Sequence, residues 1–196
     1  MTLMRKLILL TSLAAIMAAT LAAAPITYRF SGSGSGTIGR SVFEGADFVA
    51  TINGDTTSVT SQPSLGALGA LGLSGNISIA GLGVFAFADP LFVFIVEGTG
   101  FFGFGNFVNG NLITANSPAV VCHDLASNFG PTNVGANVNL SQFNNAATSG
   151  GALTFGSMSD VTYQAITGVP EPATVLLIGA GMASVLVLRR RRLGRR

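Results

Sequence analysis

A chain of 196 residues that is 48% apolar and 9% charged, with 26 Gly, 14 Phe, one Cys, one His and no Trp, has room for one domain of ordinary size and short appendages. One Cys and one His exclude a disulfide-stapled domain and a Cys/His zinc module, and so much apolar content excludes a disordered chain. The formal charge of +2 is segmental: Arg5 and Lys6 open the chain and Arg189, Arg190, Arg191, Arg192, Arg195 and Arg196 close it, while Arg29 and Arg40 face seven carboxylates between Pro25 and Gly168, leaving that body at −5 without a Lys. Such a body repels nucleic acid, so no nucleic-acid partner is expected.

Residues 1–6 are short and basic, 7–19 form an apolar run, and small residues continue to Ala24. That order predicts a secretory signal peptide over 1–24, an N-terminal signal helix read by the export machinery and a signal peptidase. Thr20-Leu21-Ala22 and Ala22-Ala23-Ala24 both meet the small-x-small cleavage rule. Pro25 hinders the second, so the cut is expected after Ala22. The run falls short of the about 17 residues that span a bilayer.

Strand signals dominate 25–168. Short β-branched or aromatic runs stand at 27–30, 46–53, 76–80, 82–88, 91–96, 101–108, 119–122, 152–155 and 161–167. Asn53-Gly54, Asp89-Pro90 and Asn109-Gly110 are turn dipeptides between apolar runs, the usual sign of hairpins. Phe48, Ala50 and Ile52 alternate with Val49, Thr51 and Asn53, as expected when one face packs and the other is wetter. The run 91–96 is apolar on both faces and is expected to be central. With no helix to carry parallel crossovers, these elements predict an all-β exported domain, an antiparallel β-sandwich of Greek-key or jelly-roll type. Phe85, Phe87, Phe92, Phe94, Phe102 and Phe104 are the expected core aromatics. The Leu-Gly repeat at 65–72 reads as a loop or edge segment, and 106–145, with ten Asn, as loop-rich.

Three patterns in the body resemble chemistry. Gly34-Ser35-Gly36-Thr37-Ile38-Gly39 fits G-x-G-x-x-G, but a dinucleotide site needs a helix after it and 40–48 has no helical period, so a Gly-rich hairpin or linker is expected. Cys122-His123-Asp124 sets three reactive residue types side by side. On a strand, Cys122 and His123 point to opposite faces, so the imidazole does not deprotonate the thiol; Cys122 is then a lone thiol of unassigned role. Asp47, Asp55, Asp89 and Asp160 could join around Ca²⁺ only if loops gathered them, and no EF-hand or nonapeptide pattern is present. No catalytic, cofactor-binding or metal-binding residues are assigned, and no cofactor is expected.

The C-terminal end reads Val169, Pro170, Glu171, Pro172, Ala173 and Thr174, then an uncharged apolar run to Leu188, then the arginines. The two prolines suit a helix start just after them. From Ala173 to Leu188 a helix is about 24 Å long against a hydrocarbon core of about 30 Å, a marginal transmembrane span that snorkelling Arg189 and Arg190 lengthen. Arginine clusters stay cytoplasmic, so the body is expected outside the inner membrane, where the signal peptide also delivers it.

The tail from Val169 to Arg192, with Val-Pro-Glu-Pro-Ala-Thr, an apolar helix containing Gly179-Ala180-Gly181 and four consecutive arginines, resembles the PEP-CTERM sorting signal of exported bacterial proteins. The resemblance implies recognition and cleavage near Pro170-Glu171-Pro172 by an exosortase, an integral-membrane enzyme, with the helix as a temporary anchor and Arg189, Arg190, Arg191 and Arg192 as the stop-transfer signal. Release to the cell surface or an exopolysaccharide matrix follows from the same resemblance. This tail, 169–196 here, also goes under the label "ice-binding protein C-terminal", which names an appendage and implies no ice binding. The opening pattern 27–30, through the Gly/Ser stretch to 48–50, is loosely similar to N-terminal strands of PEP-CTERM proteins.

These readings converge on a non-enzymatic exported protein of structural or adhesive type, in the envelope or matrix. A surface rich in Ser, Thr, Asn and Gly suits hydrogen bonding to exopolysaccharide without electrostatic steering. The alternative is a secreted carbohydrate-active hydrolase or lyase using a carboxylate pair about 5 to 10 Å apart across a cleft.

Overall fold

The computed structural model describes residues 23–135 and 145–168, which form strands joined by turns and short 3₁₀ segments. The strands are β1 (Pro25–Ile38), β2 (Ser41–Asp55), β3 (Val59–Gln62), β4 (Ala67–Ile79), β5 (Gly83–Ala86), β6 (Leu91–Val96), β7 (Phe101–Asn106), β8 (Gly110–Asn116), β9 (Phe129–Gly135), β10 (Ala146–Thr148) and β11 (Gly151–Thr167). Among the described residues no helix is long and apolar enough to cross a membrane. The expected signal helix and the expected C-terminal transmembrane helix lie outside the described residues.

Every strand pairing is antiparallel, and the strands join in the order β10-β11-β1-β2-β4-β6-β7-β8, with β3 and β5 added to β4 and β9 to β11. β4 is the corner. Its first part pairs with β3 and β6, its last part with β2 and β5, and the register slips between Ala70 and Leu73 where Gly72 takes φ +70°. A bulge holding a left-handed glycine bends a strand sharply, and here it turns the sheet from one wall to the other. Phe30 on β1 then meets Phe104 on β7 at 4.9 Å between ring centroids, although β2, β4 and β6 separate these strands in the sheet. The result is a strongly curled half-barrel of eight strands. The expected all-β antiparallel class holds. The two separate sheets of a sandwich are replaced by one, because β4 carries the hydrogen bonding around the corner.

Alternation builds the core. Ile26, Tyr28 and Phe30 of β1, Phe48, Ala50 and Ile52 of β2, Leu91, Val93 and Ile95 of β6, Phe102 and Phe104 of β7, and Val161, Tyr163 and Ala165 of β11 are all buried at every second position. The register sets Phe30 opposite both Ala50 and Tyr163, so large and small side chains share the space. Each fully buried Phe contributes about 1.5 to 3 kcal/mol.

Several expectations change for local reasons. The Gly/Ser stretch after Phe30 forms the second half of β1 and leads into the Gly39-Arg40 turn of the β1–β2 hairpin, as the Gly-rich hairpin reading expects, and a Cβ at Gly34 or Gly36 would strike the Phe155 or Phe43 ring. β2 and no helix follows it, so the G-x-G-x-x-G match has no dinucleotide-binding context. Asn53-Gly54 lies inside β2, and the chain turns only at Asp55, whose carboxylate accepts from the Thr57 and Ser58 amides. Asn109-Gly110 does close the β7–β8 hairpin. The Leu-Gly repeat begins at the last residue of the 3₁₀ turn Pro63–Leu65 and supplies the first half of β4, paired on both sides at 67–70. The expected strand at 119–122 is instead a 3₁₀ turn, Pro118–Val120, started by the Ser117 hydroxyl accepting from Ala119 N, and the Asn-rich region contributes β8 and β9. Of the expected core aromatics, Phe102 and Phe104 are fully buried, Phe85 and Phe87 pack at its margin, and Phe92 and Phe94 face outward.

Candidate functional site

The sorting residues Val169, Pro170, Glu171, Pro172, Ala173 and Thr174 and the arginines Arg189, Arg190, Arg191 and Arg192 lie outside the described residues. What the structure does place is the point where that tail leaves the body. Gly168 N donates to Pro25 O at 2.7 Å, directly after the Ile26–Thr167 pair of β1 and β11. The junctions of both expected appendages therefore adjoin on neighbouring strands.

The Cys122-His123-Asp124 cluster sits in the connection after the Pro118–Val120 turn. Cys122 is exposed, whereas the His123 side chain is 1% exposed and stacks on Phe129 at 4.6 Å between centroids. The thiol is thus exposed and the imidazole buried in a turn, where the expected strand does not form. Asp124 Oδ1 accepts from Ala126 N, Ser127 N and Ser127 Oγ at 2.9, 2.9 and 2.7 Å, which closes a tight local turn and holds its carboxyl below the usual range. Leu125 is buried at φ +59°, and its carbonyl accepts from the Tyr28 hydroxyl at 2.7 Å, pinning the loop to β1. Burial pushes the His123 pKa down and outweighs Asp124, whose Oδ1 lies 3.8 Å from Nδ1. Burial also pushes the Tyr28 and Tyr163 hydroxyls well above their ordinary range. Among the described residues, His123 Nε2 and the Tyr163 hydroxyl are buried without a hydrogen-bond partner. The loop is held to the core by the Tyr28–Leu125 hydrogen bond and the His123–Phe129 stack.

A second feature was not foreseen: an apolar groove of about 560 Å³ on the outer face of the β4–β6–β7 wall. Leu91, Val93 and Ile95 of β6 point into the core, so Phe92, Phe94 and Val96 point out. Opposite Phe92 and Phe94 on β7 stand Gly105 and Gly103, and opposite Phe94 on β4 stands Gly69. A Cβ at Gly105 would lie 2.7 Å from the Phe92 ring, so that ring rests over bare backbone. Large aromatics thereby lie across glycines with a face left open. Phe107, 68% exposed, lies 5.2 Å from Phe92; Phe92 lies 6.1 Å from Phe94; Phe94 lies 5.7 Å from Phe101. Asn106 holds Phe107 in place, its Oδ1 accepting from Val108 N and Asn109 N and its Nδ2 donating to Asn109 Oδ1. Leu65 and Leu71 extend the wall, and Gln62 and Asn111 supply amides. Among the described residues, no ionisable side chain lines the groove. The sequence signal for it was Phe92-Val93-Phe94 followed by Phe102-Gly103-Phe104-Gly105: two aromatic faces, one of which can be internal.

Asp47 and Asp55 serve a cross-strand pair and a local turn. Asp47 accepts from Ser33 Oγ at 2.7 Å, and Asp55 accepts from the Thr57 amide and hydroxyl and the Ser58 amide. Hydrogen bonds from Thr57 hold the Asp55 carboxyl below its usual range. Among the described residues, no three His, Cys, Asp or Glu side chains group as metal ligands would.

Fold and site thus define an all-β antiparallel half-barrel with an uncharged aromatic groove on its outer wall. Comparison with protein families adds the destination: residues 168–192 match the PEP-CTERM protein-sorting motif, and the chain carries that motif. The motif implies an exported protein of the cell envelope, sorted and processed by an exosortase. No curated protein and no solved structure matches the chain significantly.

Proposed function

We propose that this protein is a non-enzymatic structural or adhesive component of the cell envelope or extracellular matrix. The N-terminal 24 residues direct export, the C-terminal helix anchors the body outside the inner membrane, and an exosortase cuts near Pro170-Glu171-Pro172 to release it. The observation that carries this reading is the sorting motif at 168–192, joined directly to a β-rich body. The exposed thiol of Cys122 beside a buried imidazole, and a groove without ionisable side chains among the described residues, support a contact role over catalysis.

The reading is tested with the triple variant Pro170→Ala, Glu171→Ala, Pro172→Ala expressed in a host with its exosortase. The variant is expected to accumulate in the membrane fraction while the parent protein appears in the surface or matrix fraction. Equal distribution of the two would refute sorting through this motif. Release of reducing ends from polysaccharide by the purified protein would instead establish the hydrolase alternative.

A further inference from the structure

We propose that the outer groove binds a neutral polysaccharide, one pyranose ring stacking on each step of the Phe107-Phe92-Phe94-Phe101 row. This names the partner of the adhesive role above and rests on that reading.

The row is the first argument. Successive centroids stand 5.2, 6.1 and 5.7 Å apart, so the ladder repeats at about the length of one sugar unit in a glycan chain. Its rings stand on one sheet face with successive planes inclined by 51°, 48° and 52°, and Phe92 is held over Gly105; a pyranose with equatorial hydroxyls presents a flat C–H face to each ring in turn, the chain twisting from one ring to the next. Apolar walls with a few amides are the composition of a site that stacks a ring and orients its hydroxyls, and here Gln62, Asn106 and Asn111 line the groove, Gln62 Nε2 also donating to Thr60 Oγ1.

Charge is the second argument. The lining has no ionisable side chain among the described residues, and the body carries −5. A polyanionic glycan or an acidic peptide meets repulsion with no cation in the groove to offset it, and a second copy of the chain brings another −5. A neutral chain of sugars meets no such cost. An exposed apolar surface of this kind on an exported domain is otherwise a liability for aggregation, which a bound partner removes.

The experiment uses the processed protein purified from the envelope. Binding is measured calorimetrically to hexasaccharides of four neutral β-linked series, namely glucan linked 1,4, glucan linked 1,3, mannan and chitin, with oligogalacturonate as the charged control. At least one neutral series is expected to bind and the charged one to bind more weakly. Phe107→Ala, at an exposed position that does not threaten folding, is expected to weaken Kd by about three- to tenfold. Phe94→Ala is expected to do at least as much, while Val84→Ala, on β5 outside the groove and 66% exposed, leaves Kd unchanged. Binding to none of the four series overturns the proposal, as does equal affinity of the parent and Phe107→Ala proteins. So does a concentration-dependent dimer that Phe107→Ala abolishes, which would assign the groove to a second copy, or uptake by neutral phosphatidylcholine vesicles in place of sugar. Fractionation of the same variants separates the two claims: a Phe107→Ala protein that is sorted normally but no longer binds sinks neither, whereas a parent protein that binds glycan yet remains cytosolic sinks the sorting role alone.

Discussion

The two faces of the β6–β7 ribbon carry the same residue type to opposite ends. Inside, Phe102 and Phe104 are wholly buried against Phe30 and Tyr163. Outside, Phe92 and Phe94 lie half-exposed across Gly105 and Gly103. Hydrophobicity does not separate these pairs. What separates them is the residue standing opposite and whether a second wall covers the face. A Phe under another wall stabilises the fold, and a Phe over a glycine with nothing above it offers a flat surface to a partner.

The contrast breaks most visibly on truncation. Phe104→Ala is expected to lower unfolding stability by about 3 to 5 kcal/mol in denaturant titration, since it removes a ring from a closed core. A cost below about 1 kcal/mol would show that the wall is loosely packed there. Gly105→Ala comes next, at roughly 1 to 3 kcal/mol, because the added carbon would meet Gly110 O at 2.2 Å as well as the Phe92 ring. Chemical denaturation also reads this change, and neutral behaviour would mean that Phe92 does not rest on that backbone.

A smaller effect follows from His123. Its folded pKa is held below the ordinary 6.5, so the folded state prefers the neutral ring and the unfolded chain binds the proton more readily. Its contribution is therefore fully present above about pH 6.5 and is lost as pH falls below that value. Asp55 and Asp124, whose pKa values lie below 3.8, lose their contributions only at lower pH, so the interval between belongs to His123. Midpoints of thermal unfolding from pH 7.5 to 5 are expected to fall for the parent protein and to flatten for His123→Gln. A parallel decline in both would assign the effect elsewhere. Smallest of all, Phe107→Ala is expected to change stability by less than about 0.5 kcal/mol, the counterpart of its effect on binding. A large loss there would mean that the outer row is part of the core.

What could be read from the chain follows the range of each signal. The strand at 91–96 was legible because its limits are set by its neighbours Pro90 and Glu97, and the hairpin at Asn109-Gly110 because its turn chemistry is local. The tail was legible because a sorting motif is contiguous and is read in order by another enzyme. The corner at Ala70–Leu73 was not, since glycines there resemble a loop until β3 and β6 are known to flank them. The groove was hidden for the same reason. Phe92 and Phe94 looked like core until Leu91, Val93 and Ile95 took the inner face and the β7 glycines came to lie beside them. Pairing partners distant in sequence decide both.

Export and sorting, as proposed above, trim both ends of this chain and leave the β-rich body outside the inner membrane. Intact-mass spectrometry of the protein recovered from its native envelope tests it most directly. The expected species begins just after Ala22 and ends close to Glu171. Recovery from the cytosol of an untrimmed chain running from Met1 to Arg196 would contradict it.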